Sequence, residues 1–138
     1  MEYKALTLAV AKDGRVIFET DSRGISGFLD ATENLGDKLE GASVADRVVG
    51  KAIALLCIDS KIKAVYASTL SRCARELFDD NSVHVEWGEL VDNILNVRRT
   101  EACPFERLAA GIVDPKEAYE KLKTLQQSLG RKQGKQHG

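Results

Sequence analysis

The sequence is poor in cysteine and has no long hydrophobic run. Three cysteines are spread over 138 residues, and an odd, widely spaced set does not predict a disulfide framework. No apolar stretch approaches the roughly 20 residues that a membrane-spanning helix needs. The N-terminal stretch MEYKALTLAV lacks the basic leader and long apolar core of a secretory signal. These features predict a reduced, cytoplasmic protein with no membrane partner.

Neither sign of charge dominates the chain. It has 20 basic and 21 acidic residues and a net charge of -1, so there is no strong signal for nucleic acid as a partner. The length suits one domain, which we assign to residues 1–129. Residues 130–138 are polar, basic and punctuated by glycine, and they predict a disordered tail.

Residue patterns that build common catalytic centres are missing. The cysteines show no C-x-x-C spacing, and the two histidines are His84, on a predicted strand, and His137, in the tail. We therefore expect no metal ion and no cofactor. No G-x-S-x-G elbow of hydrolases is present. Gly50-Lys51 lacks the earlier glycine and the following Ser or Thr of a phosphate-binding loop, which excludes that class of nucleoside triphosphatase.

Hydrophobic periodicity predicts alternating strands and helices. The stretch YKALTLAVAKDGRVIFETD predicts a hairpin that turns at Asp13-Gly14, and a short helix follows and ends near Gly36. Ser43 and Asp46 form a capping-box pattern, so we predict that a helix begins there and runs through Leu56. Gly50 would then lie inside this helix, where close packing explains it better than a ligand.

The second half of the sequence continues the alternation. We predict a strand over KAVYAST, a helix over LSRCARELFDD, a strand over VHVEW, a helix from Pro104, and a last helix capped by Asp114. The strand–helix–strand portion implies a parallel crossover. An antiparallel hairpin joined to parallel strands predicts an α/β fold with a mixed sheet and helices packed on it.

Cys103 stands directly before Pro104, at the start of a predicted helix. The positive end of the helix dipole, with Arg98 and Arg99 nearby in the sequence, would lower the pKa of a thiol there. Glu106 would act in the opposite direction if it approached the sulfur. The alternative is a buried cysteine that packs as a small apolar residue.

Three stretches together resemble one known family. They are VADRVVGKAIALL, VYASTLSRCARELF and ILNVRRTEACPFE, and they are similar to a small uncharacterised prokaryotic family with a cytidine-deaminase-like fold. The resemblance covers about residues 5–125. It implies a three-layer α-β-α arrangement around a mixed sheet with an N-terminal hairpin, and it implies no established activity.

Active deaminases need H-A-E at the start of one helix and P-C-x-x-C at the start of the next, to hold zinc and activate water. If the elements correspond, Val44 to Asp46 occupy the first place and Thr69 to Cys73 the second. Val44 cannot bind zinc, and Leu70 stands where a second thiol is needed. The resemblance therefore implies a protein that works without zinc.

We interpret the pocket of that fold as the candidate site. Cys103 and Glu106 are the candidate catalytic residues. The candidate ligand-binding residues are Asp46, Lys51, Thr69, Ser71, Cys73 and Arg99. Asp46 and Ser71 also have simpler explanations as helix caps.

Three functions fit this sequence. The first is a module that binds a small polar ligand, such as a nucleoside or nucleotide, without turnover. The second is a metal-free enzyme in which Cys103 is the nucleophile or acid. The third is a protein-interaction module, in which the strand VHVEW pairs with a partner and Trp87 anchors it. A homo-oligomer is compatible with each of them.

Overall fold

A computed structural model describes residues 8–21, 24–92 and 104–137 of the chain. The elements, in order, are β1 (Leu8–Lys12), β2 (Arg15–Thr20), α1 (Gly24–Leu35), a short 3-10 helix (Gly36–Leu39), β3 (Ser43–Val49), α2 (Lys51–Asp59), β4 (Ala64–Ser71), α3 (Arg72–Asp80), β5 (His84–Val91), α4 (Pro104–Ala110) and α5 (Pro115–His137).

The strands form one mixed sheet in the order β2-β1-β3-β4-β5. β1 is antiparallel to both β2 and β3, whereas β3, β4 and β5 run parallel. Asp13 and Gly14 adopt positive φ angles of 53° and 81° in the hairpin turn, as a tight two-residue turn requires. The predicted α/β class, mixed sheet and N-terminal hairpin are confirmed.

The predicted helix from Ser43 is wrong over its first half, which is strand β3. Burial alternates along this strand, with Val44 and Asp46 buried and Ala45 exposed, which is the two-residue period of a sheet. The helix α2 begins only at Lys51, and Gly50 is its N-cap. Ser43 and Asp46 therefore form no capping box, and Gly50 does not interrupt a helix.

Other predicted boundaries agree with the structure or shift slightly. Ser71 Oγ accepts a hydrogen bond of 3.1 Å from Ala74 N at the start of α3, and Asp114 Oδ2 accepts one of 3.2 Å from Glu117 N at the start of α5. Both predicted caps are confirmed. Strand β5 extends beyond VHVEW to Val91.

The backbone of α5 is helical as far as His137. The disordered tail expected from residue 130 and the domain bounds of residues 1–129 stay predictions.

The helices pack on the sheet face that carries Leu8, Val44 and Val65, all of them buried. The core helix α2 is buried on every side from Ala52 to Cys57, because it lies against the sheet and also contacts α1, α3, α4 and α5. No helix of the described residues packs on the opposite face of the sheet. A layer on that side, as in a three-layer fold, would have to come from residues outside the described ranges.

Among the described helices, none combines the length and the apolar character that crossing a bilayer requires.

Candidate functional site

The opposite face of the sheet carries a groove of about 480 Å³. We call it the sheet groove. It is lined by Leu8, Ala9, Ala45, Asp46, Arg47, Tyr66, Ala67, Ser68, Glu86 and Trp87. These residues come from the four strands β1, β3, β4 and β5, so the groove crosses the sheet and does not follow a single strand. Its volume falls within the range of about 300–1,000 Å³ that is typical of small-molecule sites.

The register of the strands explains why a groove forms here. Ala9 pairs with Ala45, and Ala45 pairs with Tyr66, which in turn pairs with Glu86. Directly paired residues share one face of a sheet. Two methyl groups therefore form a low floor beside the larger side chains of Tyr66 and Glu86.

Aromatic and charged groups surround this floor. Tyr66, which pairs with Ala45, is 42% exposed on this face. Trp87 also lines the groove, but it pairs with Ala67 and so shares the helix side of the sheet with Asp46. Arg47, an exposed residue of β3, supplies a cation, and Glu86 supplies a carboxylate. The groove therefore offers the aromatic ring of Tyr66 together with charges of both signs.

A small polar cluster extends from the groove along β5. His84 Nε2 lies 2.8 Å from Oε2 of Glu86, and the His84 ring meets the Tyr66 ring edge to face at a centroid distance of 6.1 Å. The His84 side chain is 58% exposed, and its hydrogen bond to Glu86 is local. These contacts fix the direction of the Glu86 carboxylate beside the groove.

Asp46 lies on the helix side of β3 and is only 7% exposed. Its Oδ1 accepts a hydrogen bond of 2.8 Å from the backbone N–H of Arg47. Burial raises the pKa of the Cys57 thiol in α2, and the negative charge of Asp46 raises it further. Asp46 therefore lies between the groove, which it helps to line, and the buried thiol of Cys57 in α2.

The other described candidates lie at a different place, the sheet edge where α2 and α3 begin. Lys51 Nζ donates a hydrogen bond of 3.1 Å to the carbonyl oxygen of Ala110, the last residue of α4. Ser71 is buried as the cap of α3, and Cys73 is exposed in the first turn of that helix. Thr69 is half-buried on β4, opposite Val48 and Glu89.

The structure separates Asp46 from this helix-start edge. Val44 to Asp46 lie within β3, so their predicted correspondence with the start of a deaminase helix is wrong. The true start of α2 consists of Gly50, Lys51 and Ala52, which offer neither a histidine nor a carboxylate. Arg99, Cys103 and the side chain of Glu106 lie outside the described residues, and their predicted roles stay predictions.

Within residues 8–21, 24–92 and 104–137, no three side chains of His, Cys, Asp or Glu converge as a metal site would need.

A second, smaller cavity of about 250 Å³ lies among α1, α2 and α5, and Asp37, Glu40, Asp59 and Lys61 are among its lining residues. Burial raises the pKa of the Asp59 carboxyl, which Lys116 opposes and Asp114 reinforces. This cavity has one aromatic residue, Tyr119. The sheet groove is larger, and sequence reasoning missed it because it depends on the pairing of four strands.

Comparison with known proteins identifies relatives that match most of the chain. A family model described as TM1506: Domain of unknown function (DUF1893) matches residues 1–125. The crystal structure of a DUF1893 family protein (TM1506) from Thermotoga maritima is similar to this chain with a TM-score of 0.77 and 28% sequence identity. The match covers 86% of this chain and 80% of the other. The sequence has no match among curated proteins.

RibD of Acinetobacter baumannii shares the fold more distantly. The TM-score is 0.50 at 15% identity, and the match covers 60% of this chain and 28% of RibD. At this identity the likeness concerns the fold alone. The fold is cytidine-deaminase-like, as the resemblance in the sequence implied.

Proposed function

We propose that this chain, which belongs to the DUF1893 family, binds a small polar ligand with a planar ring in the sheet groove. A nucleoside or nucleotide is such a ligand. The observation that supports the proposal is the groove itself, with the exposed ring of Tyr66 beside a floor of two alanines and with Arg47 and Glu86 at its sides.

Each part of the groove suits one part of such a ligand. A planar base can lie on the alanine floor and contact the ring of Tyr66, because every base offers a π face. Glu86 can accept hydrogen bonds from amino groups on the edge of the base, and Arg47 can donate to a carbonyl or phosphate oxygen. The groove is open to solvent on one side, which leaves room for a sugar.

The contribution of Arg47 separates two ligand classes. A nucleotide would gain a charge-assisted hydrogen bond from the guanidinium to its phosphate, whereas a nucleobase or nucleoside would not. Arg47→Met keeps much of the side-chain length and removes the charge. We expect it to weaken nucleotide binding about tenfold or more and to leave nucleoside binding little changed.

The test uses the only tryptophan of the chain as a reporter. Trp87 lines the groove, so its fluorescence is titrated with nucleobases, nucleosides and nucleotides, and a thermal-shift assay runs in parallel. A ligand present at 100 times its Kd stabilises the protein by about 2.7 kcal/mol, which corresponds to a rise in Tm of several degrees.

Three matched variants locate the binding. Ala45→Arg fills the floor of the groove and abolishes binding if the proposal is correct. Val113→Arg, at an 83% exposed position away from the groove, leaves binding unchanged. Ala110→Arg crowds the helix-start edge beside Lys51. Loss of binding in this variant, with binding retained in Ala45→Arg, would move the site to that edge and contradict the proposal.

If no nucleobase, nucleoside or nucleotide changed the Trp87 fluorescence or the Tm, that result would also contradict the proposed function.

A further inference from the structure

We propose that β5 pairs antiparallel with β5 of a second copy of this chain, so that the five-stranded sheets of two subunits join across a two-fold axis centred on Trp87. This inference does not depend on a ligand in the sheet groove. It starts from the position of β5, which is an end strand of the sheet. In the part of the chain that the structure describes, no strand pairs with its outer edge.

The direction of the backbone groups along β5 follows from one hydrogen bond. The N–H of His84 donates to the carbonyl oxygen of Lys63, at 3.1 Å, on the β4 side. Backbone groups of alternate residues in a strand point to the same side. The N–H and C=O groups of Glu86 and Gly88 therefore face β4, and those of Val85, Trp87 and Glu89 face outward.

The outward N–H and C=O groups of β5 can pair with the same groups of β5 in a second subunit. An isologous contact between two identical strands has to be antiparallel. With Trp87 opposite the partner's Trp87, Val85 lies opposite the partner's Glu89, and each of these pairs exchanges two backbone hydrogen bonds. The register thus forms about six hydrogen bonds and uses almost the whole length of the strand.

The charges of the strand fit this register. Glu89 lies opposite the partner's Val85, and Glu86 lies opposite the partner's Gly88, which has no side chain. No carboxylate directly faces another, whereas like charges directly opposite would be destabilising. Shifting the register by two residues, so that Glu86 lies opposite its own copy, would place two carboxylates face to face.

Exposure along the strand is the second line of support. Five of the eight positions of β5 are exposed and none is fully buried. An exposed edge strand of this length is a ready site for pairing with another strand. Trp87 is the largest of its side chains and is 39% exposed. Tryptophan is enriched at the centre of interfaces, and the two-fold axis brings the two Trp87 residues together.

A disulfide cross-link tests the register. In a background with Cys73 and Cys103 changed to serine, Trp87→Cys places two thiols on residues whose Cα atoms lie about 5.5 Å apart across the axis. This distance permits a disulfide. Glu89→Cys is the matched control, because its own copy would lie about 13 Å away along the strands. We expect mild oxidation to give a covalent dimer for Trp87→Cys alone.

Sedimentation equilibrium of the full chain provides a test that keeps Trp87. Glu89→Pro removes one outward N–H and no hydrogen bond to β4, since proline is tolerated at such an edge position. We expect it to raise the dimer Kd about tenfold or more. Glu89→Gln keeps the N–H and should leave the Kd within about twofold, since a surface charge contributes little.

A wild-type chain that stays monomeric overturns the proposal, and so does cross-linking of Glu89→Cys as fast as Trp87→Cys. A monomer that binds a labelled peptide of alternating lysine and valine would show instead that this edge accepts a foreign basic strand.

Discussion

At the scale of single residues, Cys57 carries the clearest electrostatic signature of the described chain. Its thiol is fully buried in α2, and burial and the charge of Asp46 both raise its pKa. The folded protein therefore keeps this thiol protonated at pH values where an exposed thiol ionises. Cys73, in contrast, is exposed at the start of α3.

This difference predicts a pH dependence of stability. An unfolded thiol ionises near pH 8.5, whereas Cys57 in the folded state does not. The stabilisation is therefore complete below the pKa of the unfolded chain and is lost as pH rises toward the higher folded pKa. We expect the free energy of unfolding, measured in urea from about pH 7 to 10, to fall more steeply in the wild type than in Cys57→Ala.

The comparison of slopes avoids the cost of the cavity that Cys57→Ala creates, because that cost does not change with pH. The lysine and tyrosine side chains are the same in both proteins, so their contributions to the two slopes cancel. Equal slopes in the two proteins would mean that the Cys57 thiol ionises as readily in the folded state as in the unfolded one.

At the scale of elements, Ser43 and Ser71 both have a helix cap as their sequence interpretation but do different things. Ser71 Oγ caps α3 through Ala74 N, whereas Ser43 begins strand β3. We expect Ser71→Ala to cost about 0.5–2 kcal/mol of stability. Ser43→Ala should cost less than about 0.5 kcal/mol, as surface substitutions usually do. Urea denaturation of both variants measures the difference.

Had Ser43 been the helix cap that the sequence suggested, the two variants would lose similar stability. Equal losses would therefore contradict the boundary between β3 and α2 at Gly50.

The error at Ser43 has a physical cause. In a sheet with helices on one face, a strand has alternating apolar and polar residues. The buried face of β3 carries Asp46 where an apolar residue is expected. The charge hides the two-residue period and completes a false capping box. The caps at Ser71 and Asp114 were predictable because local hydrogen bonds alone decide them.

At the scale of the whole molecule, α5 holds the helices together. Leu122 is fully buried, and α5 contacts both α1 and α2. We expect Leu122→Ala to cost about 2–5 kcal/mol, whereas Leu122→Met, which conserves volume, should cost less than about 1.5 kcal/mol. Urea unfolding followed by Trp87 fluorescence measures both, and a loss below about 1 kcal/mol for Leu122→Ala would show that α5 is not part of the core.

The α/β class and mixed sheet were predictable from the sequence because each depends on local period and on the order of elements. The sheet groove was not, since Ala45, Tyr66 and Glu86 become neighbours only through the registers of three parallel strands. Of the predicted ligand-binding residues that the structure describes, Asp46 alone lines the groove, while Lys51, Ser71 and Cys73 lie at another edge.

The place of β1 inside the sheet bears on how the chain folds during synthesis. β1 pairs with β2 at once through a two-residue turn, but its other neighbour, β3, is complete only about 30 residues after the hairpin ends at Thr20. At about 5–20 residues per second the ribosome needs about 1.5–6 seconds to supply it, whereas a hairpin forms in about 1–10 microseconds. For those seconds one edge of β1 in the nascent hairpin waits without the strand that pairs with it in the folded sheet.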